Sequence, residues 1–215
     1  LATLPWIVQK GGSAYARFGT EWSHGTHMFG ISGHIAKPGL YEREAGYPLK
    51  KIIMDDAGGI RDGKKLKAVI PGGSSTPVLK ADEIEEITLD PESLQEAGSL
   101  LGSGAIIVVA EGTCMVRLLQ VLTRFYSHES CGQCTPCREG TNLLHTVVSR
   151  IVDGKGFEDD VERLERATKG IKGNTVCALG DAAAMPVQSF VSKFRDEFDH
   201  YIKYGHSMHD GRLDI

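Results

Sequence analysis

A chain of 215 residues exceeds one typical domain and can bury two cores, so two packed units are expected. With 24 Lys and Arg against 28 Asp and Glu the formal net charge is -4, and no basic stretch interleaved with aromatic residues is present to follow a phosphate backbone, which argues against nucleic acid as a partner. The longest apolar run, about Ala105 to Ala110, falls far short of the ~18 residues of a membrane span, so direct insertion into a membrane is not expected.

The opening Leu1-Ala-Thr-Leu-Pro-Trp has no initiator Met, basic n-region or small-residue cleavage site; it reads as neither a signal peptide nor a natural start, and a C-terminal fragment of a longer protein is expected. Within the Gly-rich stretch from Gly11 to Gly39, the alternation of His27 to His34 predicts a strand, and Pro38-Gly39 a turn, which together make a hairpin. Leu49, Ile52 and Ile53 predict a short helix ending at Gly58-Gly59, followed by a strand from Leu66 to Ile70. The next loop, Pro71-Gly-Gly-Ser-Ser75, has backbone amides that suit a phosphate but lacks the Lys and the following helix of a P-loop, so a surface turn is expected. After a polar stretch containing Asp90-Pro-Glu-Ser, the β-branched run Ala105 to Ala110 predicts a buried central strand that completes a small α+β unit.

Beyond Gly112 the apolar period becomes helical. Met115, Leu118, Leu119 and Leu122 form one stripe; Leu143, Leu144, Val147, Val148 and Ile151 form a second. A third helix is predicted by Val161, Leu164 and Ile171, and a fourth, after Pro186, by Val187, Phe190, Val191, Phe194, Phe198, Tyr201 and Ile202. Four amphipathic helices on short links predict a bundle, interrupted only by a Gly- and Asp-rich turn from Asp153 to Asp160.

Five cysteines in a chain of this length are too few for a disulfide scaffold, and three of them fall in Cys131-Gly-Gln-Cys134-Thr-Pro-Cys137. A C-x-x-C-x-x-C turn aims three thiolates at three corners of a cuboidal [4Fe–4S] cluster and leaves one iron for a remote ligand, for which Cys177 in Gly173-Asn-Thr-Val-Cys-Ala-Leu-Gly180 is the candidate. Gly132 and Gly140 are expected to relieve crowding around the turn, and Pro136 to stiffen it. Four cysteines can equally close a tetrahedral zinc site that staples loops, although zinc sites more often pair two separate C-x-x-C knuckles. Cys114 reads as a buried apolar residue at a helix start, and His128 as a residue that caps or packs near the turn, with a hydrogen bond to the cluster as a weaker alternative.

Those residues carry a resemblance. Glu129-Ser-Cys-Gly-Gln-Cys-Thr-Pro-Cys-Arg-Glu-Gly140 with Cys177-Ala-Leu-Gly-Asp181 is similar to the NADH-binding flavoprotein subunit of respiratory complex I, as are Ser32-Gly-His34, Ala68-Val-Ile-Pro-Gly-Gly-Ser-Ser-Thr-Pro77, Leu101-Gly-Ser-Gly104 and Pro186-Val-Gln-Ser-Phe190. Diaphorase subunits of NAD-dependent hydrogenases and formate dehydrogenases share these motifs.

The resemblance implies three parts: residues 1–25 as the tail of an FMN- and NADH-binding domain, 26–110 as a ubiquitin-like β-grasp (SLBB-like) module, and 111–215 as a four-helix bundle carrying the [4Fe–4S] cluster. Cys131, Cys134, Cys137 and Cys177 match the family's ligand positions. It further implies a component of an NADH:quinone oxidoreductase that passes electrons from NADH through FMN and the cluster toward quinone. The expected partners are other iron–sulfur subunits, and the expected place is peripheral, on the cytoplasmic or mitochondrial-matrix side of an energy-transducing membrane. The family's Gly-rich nucleotide loop and acidic segment do not occur here, so no residue is assigned to FMN or NAD, none is assigned as catalytic, and this chain alone is not expected to oxidise NADH. A diaphorase subunit and a zinc-stapled interaction module remain as alternatives.

Overall fold

The chain opens with two short helices, α1 (Leu4–Lys10) and α2 (Gly12–Tyr15), in a computed structural model that describes residues 1–209. The last six residues of the expected 111–215 region therefore lie outside the described residues. Two units are present. One comprises Leu1–Gly73 and Leu79–Val109; the other joins Ser74–Val78 to the chain from Ala110 onward.

In the first unit, β1 (Thr26–Gly33) and β2 (Gly39–Glu44) form the expected hairpin, antiparallel with Ile31 opposite Gly39. Alternation along β1 turns Phe29 and Ile31 inward, as a period of two requires. After β3 (Tyr47–Pro48), the helix predicted from Leu49, Ile52 and Ile53 is a short α3 (Leu49–Lys51) running on as a π-turn over Ile52–Asp56, and all three apolar residues are buried. β4 (Leu66–Ile70) has the predicted limits, while β5 (Leu79–Lys80) and β6 (Thr88–Leu89) are short. The polar stretch at Asp90 hides a helix: the Asp90 side chain accepts from the Ser93 amide at 2.8 Å and starts α4 (Pro91–Glu96), with Pro at its tolerated first position.

The strand β7 (Ala105–Ala110) runs parallel to β1 and is central, in the sheet order β2-β1-β7-β4-β5. The close approach of β1 and β7 is why residue 33 is glycine: its φ is +88°, and a Cβ there would lie 2.3 Å from the Val108 carbonyl oxygen. Phe29, Leu49, Ile53, Val69, Leu89 and Val108 belong to one apolar core cluster. On its flank, Arg43 of β2 bonds Asp56 at 2.9 Å, and this bond holds the Asp56 carboxyl below the usual carboxylate range. Its contribution is fully present above about pH 4 and is lost as pH falls through the lowered value.

The second unit is helical: α5 (Met115–Glu129), α6 (Thr135–Val152), α7 (Asp160–Ile171), α8 (Leu179–Lys193) and α9 (Arg195–Tyr204). The helix expected after Pro186 is thus two helices. α8 starts seven residues before Pro186 and carries this buried proline inside it, and the chain breaks at Phe194, whose φ/ψ of -127°/33° is not helical. Around the unit α5 packs on α6, α6 on α7, α7 on α8, and α8 back on α5. Leu143, expected on the α6 stripe, is half exposed; Leu144, Val147, Val148 and Ile151 are buried.

Gly140 lies inside α6 rather than at the cysteine turn, and an added Cβ would meet Ile171 of α7 at 2.5 Å, so its role is close helix packing. The loop Pro71–Ser75 is no surface turn: Pro71 and Gly72 are buried. Gly72 accepts from the Ser103 amide at 2.9 Å; beyond it Ser74 bonds the Tyr126 hydroxyl at 2.9 Å and the Val78 amide donates to Ser189 at 3.1 Å. Burial pushes the Tyr126 phenol pKa upward.

Two buried carboxylates hold helix ends. Glu197 of α9 accepts from the Met115 amide at 2.8 Å and so caps α5, which its own N-cap residue, Cys114, does not. Asp160, fully buried, pairs with Arg150 and accepts from the Phe157 amide at 2.9 Å, which fastens the turn between α6 and α7. Asp160→Ala is expected to cost about 3 kcal/mol in urea denaturation, the low end for breaking a buried pair because the partly exposed Arg150 can turn to solvent; a loss under about 1 kcal/mol would contradict this role.

Candidate metal centre

The α5 helix stops at Glu129 because Ser130 takes an extended conformation, φ/ψ -61°/122°, while its amide still bonds the Tyr126 carbonyl. The chain then turns through Cys131, Gly132 and Gln133, with Gly132 at φ +78°, a left-handed value that a side chain would strain. Cys134 is the N-cap residue of α6, and Pro136 sits in the first turn, where its missing N–H costs nothing. Cys137 follows in that same turn and is buried, its carbonyl taking the Thr141 hydroxyl at 2.8 Å.

Cys177 reaches the same place from a second loop, in the bend just before α8. Asp181, in the first turn of α8, accepts from the Gly173 amide at 2.7 Å, and Thr175 donates to the Cys177 carbonyl at 2.8 Å, so the bend is tied at both ends. Cys131, Cys134, Cys137 and Cys177 line one cavity of about 240 Å³ together with the apolar side chains of Val176 and Leu179. The structure thus brings all four predicted residues together. They are unequally covered: Cys131 and Cys177 are exposed, Cys134 is intermediate and Cys137 is buried.

The chemistry of this donor set is that of a soft metal site. The first turns of α6 and α8 both border the cavity, and the positive ends of helices favour thiolates and an anionic metal–sulfur group. Its volume is several times the ~30 Å³ share of one water, enough to admit a group of several atoms. Among the described residues no three His, Cys, Asp or Glu side chains stand close enough together to hold a metal ion as they lie.

Three contacts at the turn carry no motif-level signal in the sequence beyond their place beside cysteines. Arg138 donates to the Gly132 carbonyl at 2.8 Å and so braces the turn from α6. Ser130 Oγ lies 3.2 Å from Cys137 Sγ, and Asp181 fixes the second loop. His128 neither caps nor packs: its side chain is 85% exposed and its Nδ1 meets Glu129 at 2.9 Å, because its position on α5 points to solvent. Cys114 is fully buried away from the cavity, as expected of an apolar thiol.

Residues 117–201 match the family model of the NADH-ubiquinone oxidoreductase-F iron-sulfur binding region, and residues 27–109 match that of the SLBB domain. The F subunit of NADH-quinone oxidoreductase in Rickettsia bellii (strain OSU 85-389) is 46% identical over 204 residues, covering 94% of this chain and 49% of that protein. The F 2 subunit of the Rhizobium meliloti (strain 1021) NADH-quinone oxidoreductase is 45% identical over 203 residues, covering 94% of this chain and 48% of that protein. The chain therefore spans about half the length of these curated relatives. Among solved structures, the NAD+-reducing [NiFe]-hydrogenase in its air-oxidized state superposes with a TM-score of 0.82 at 31% identity, over 92% of this chain and 33% of the hydrogenase chain.

Burial orders the thiols by access. In metal-free protein under anaerobic conditions, limited alkylation read by peptide mass spectrometry is expected to label Cys131 and Cys177 at least ~10-fold faster than Cys114, with Cys137 slow as well. Equal labelling of all five would contradict the arrangement.

Proposed function

The chain belongs to the family of NADH-quinone oxidoreductase F subunits, and from that premise we propose that it is the electron-exit part of an NADH dehydrogenase flavoprotein, in which Cys131, Cys134, Cys137 and Cys177 hold one [4Fe–4S] cluster. The observation that carries the reading is the convergence of four thiols, from two loops forty residues apart, on one multi-atom cavity at the starts of α6 and α8. A bound cubane supplies a one-electron site, whereas hydride chemistry with NADH needs a flavin, so FMN and NAD are assigned to the remainder of the full-length protein. The chain's own residues position the metal group. Cys131, Cys134 and Cys137 from one turn and Cys177 from the other loop would hold the cluster, and Arg138 and Asp181 keep the two loops in place.

The finer architecture is read in the same terms. Residues 1–25 belong with the FMN- and NADH-binding domain. Residues 26–110 are a β-grasp module, supported by the β1–β2 hairpin beside a parallel central β7 and by the SLBB match. Residues 111–215 are a four-helix bundle made of α5 to α8, supported by their cyclic packing, with α9 as an added helix that caps α5. The partners are other iron–sulfur subunits that take the electrons toward quinone, in a peripheral position on the cytoplasmic or mitochondrial-matrix side. Among the described residues no helix is long and apolar enough to cross a membrane. A diaphorase role beside a hydrogenase is the second reading, favoured by the fold likeness at 31% identity and distinguished by which subunits copurify.

Anaerobically purified protein is expected to contain about four irons and four sulfides per chain. Cys177→Ser is expected to lose much of both, and Cys114→Ser to retain them. One zinc per chain without sulfide would overturn the reading in favour of a stapled interaction module.

A further inference from the structure

The contact between Ser130 and Cys137 takes one direction once the cysteine sulfur binds a metal. Ser130 Oγ accepts from the Gly132 amide at 3.4 Å and lies 3.2 Å from Cys137 Sγ. A cysteine sulfur bound to iron has no proton to give, so in the loaded protein the bond requires the Ser130 hydroxyl as donor and the sulfur as acceptor. The serine backbone is fixed by its amide bond to Tyr126 at the end of α5, and the Cys137 backbone by its place in the first turn of α6. Cys137 is 5% exposed, the most covered of the four thiols in the cavity, so little water is at hand to replace the serine proton there.

We propose that Ser130 is a positioning residue for electron transfer: its hydroxyl donates to the Cys137 ligand sulfur and raises the cluster's reduction potential. The inference rests on the cluster reading above. A donor aimed at a ligand sulfur stabilises the extra negative charge that arrives on reduction, so the reduced state gains more from it than the oxidised state. Gly132, by committing its amide to the serine oxygen, leaves the hydroxyl proton free for the sulfur, which ties the turn's shape to the cluster's electronics. Sequence motif alone does not distinguish this serine from a helix-end residue; the sulfur distance does.

The test is an anaerobic redox titration of the intact protein, followed by electron paramagnetic resonance, on wild type and on Ser130→Ala, Ser130→Thr and Ser130→Val. At the wild-type midpoint, Ser130→Ala is expected to show a reduced-to-oxidised ratio about 10-fold lower, which is about 59 mV for one electron. Ser130→Thr, which keeps the hydroxyl, is expected within about 2-fold of wild type. Ser130→Val has nearly the same shape as Thr without the hydroxyl and is expected to shift as Ala does, so the Thr and Val pair decides the matter if the Ala variant does not hold its cluster. Loaded variants with unchanged midpoints, or Thr and Val midpoints shifted alike, would overturn the role of Ser130 and leave the cluster assignment standing. Wild-type protein without iron and sulfide would overturn both.

Discussion

The structure depends on bringing position 177 back to the end of the helical unit where residues 131–137 turn, because neither loop holds enough thiols to bind a metal–sulfur group by itself. Forty residues separate the two loops, and α6 and α7 fill that interval as an antiparallel out-and-back path. The path closes only if the helices approach tightly. Gly140 on α6, facing Ile171 near the end of α7, permits that approach next to the cavity, and Gly180 at the start of α8 gives Thr175 and Ile171 similar room. Once α7 ends there, the bend through Cys177 has little freedom, and Asp181 fixes what remains.

Polar groups inside the helical unit follow the same logic. A buried carboxylate is costly unless its lone pairs are used, and each one here is used on backbone amides at a helix or turn boundary. Glu197 serves the start of α5, and Asp160 serves the turn that leads into α7. These bonds fix where α5 begins and how the chain turns into α7, while the starts of α6 and α8 place Cys134, Cys137 and Cys177. At the cavity, which Glu129 and Gln133 line along with the cysteines, the N-termini of α6 and α8 supply dipoles that favour thiolates.

Much of this was legible in the residues. The alternation at Phe29 and Ile31, the β-branched run ending at Ala110 and the stripes at Leu118 to Leu122 and Val147 to Ile151 are local patterns, and the elements they predict are where those patterns place them. The four cysteines were legible because their spacing is a ligand pattern. What failed was context that spacing does not carry. The Pro71–Ser75 loop has the composition of a surface turn, but Gly72 is buried against Leu100 and Leu101 and accepts from the Ser103 amide, residues far away in sequence. α8 and α9 share one apolar stripe, so periodicity ran through the break at Phe194, and Pro186 suggested a start where the helix simply tolerates it. Asp90-Pro stands in a polar stretch with no apolar period to mark a helix, although it is an N-cap followed by an allowed helical proline. Ser130, Arg138 and Asp181 act through distances that no linear motif states.

The central claim is that four cysteines from two loops hold a single cubane rather than one ion or none. Mössbauer spectroscopy of anaerobically purified, iron-57-enriched protein addresses it most directly, because it reports the valence and coupling of every iron present. The account predicts a spectrum dominated by iron of average valence between ferrous and ferric in a diamagnetic state, becoming paramagnetic on one-electron reduction. Isolated high-spin iron in a single tetrahedral thiolate environment, or protein without bound iron, would contradict it.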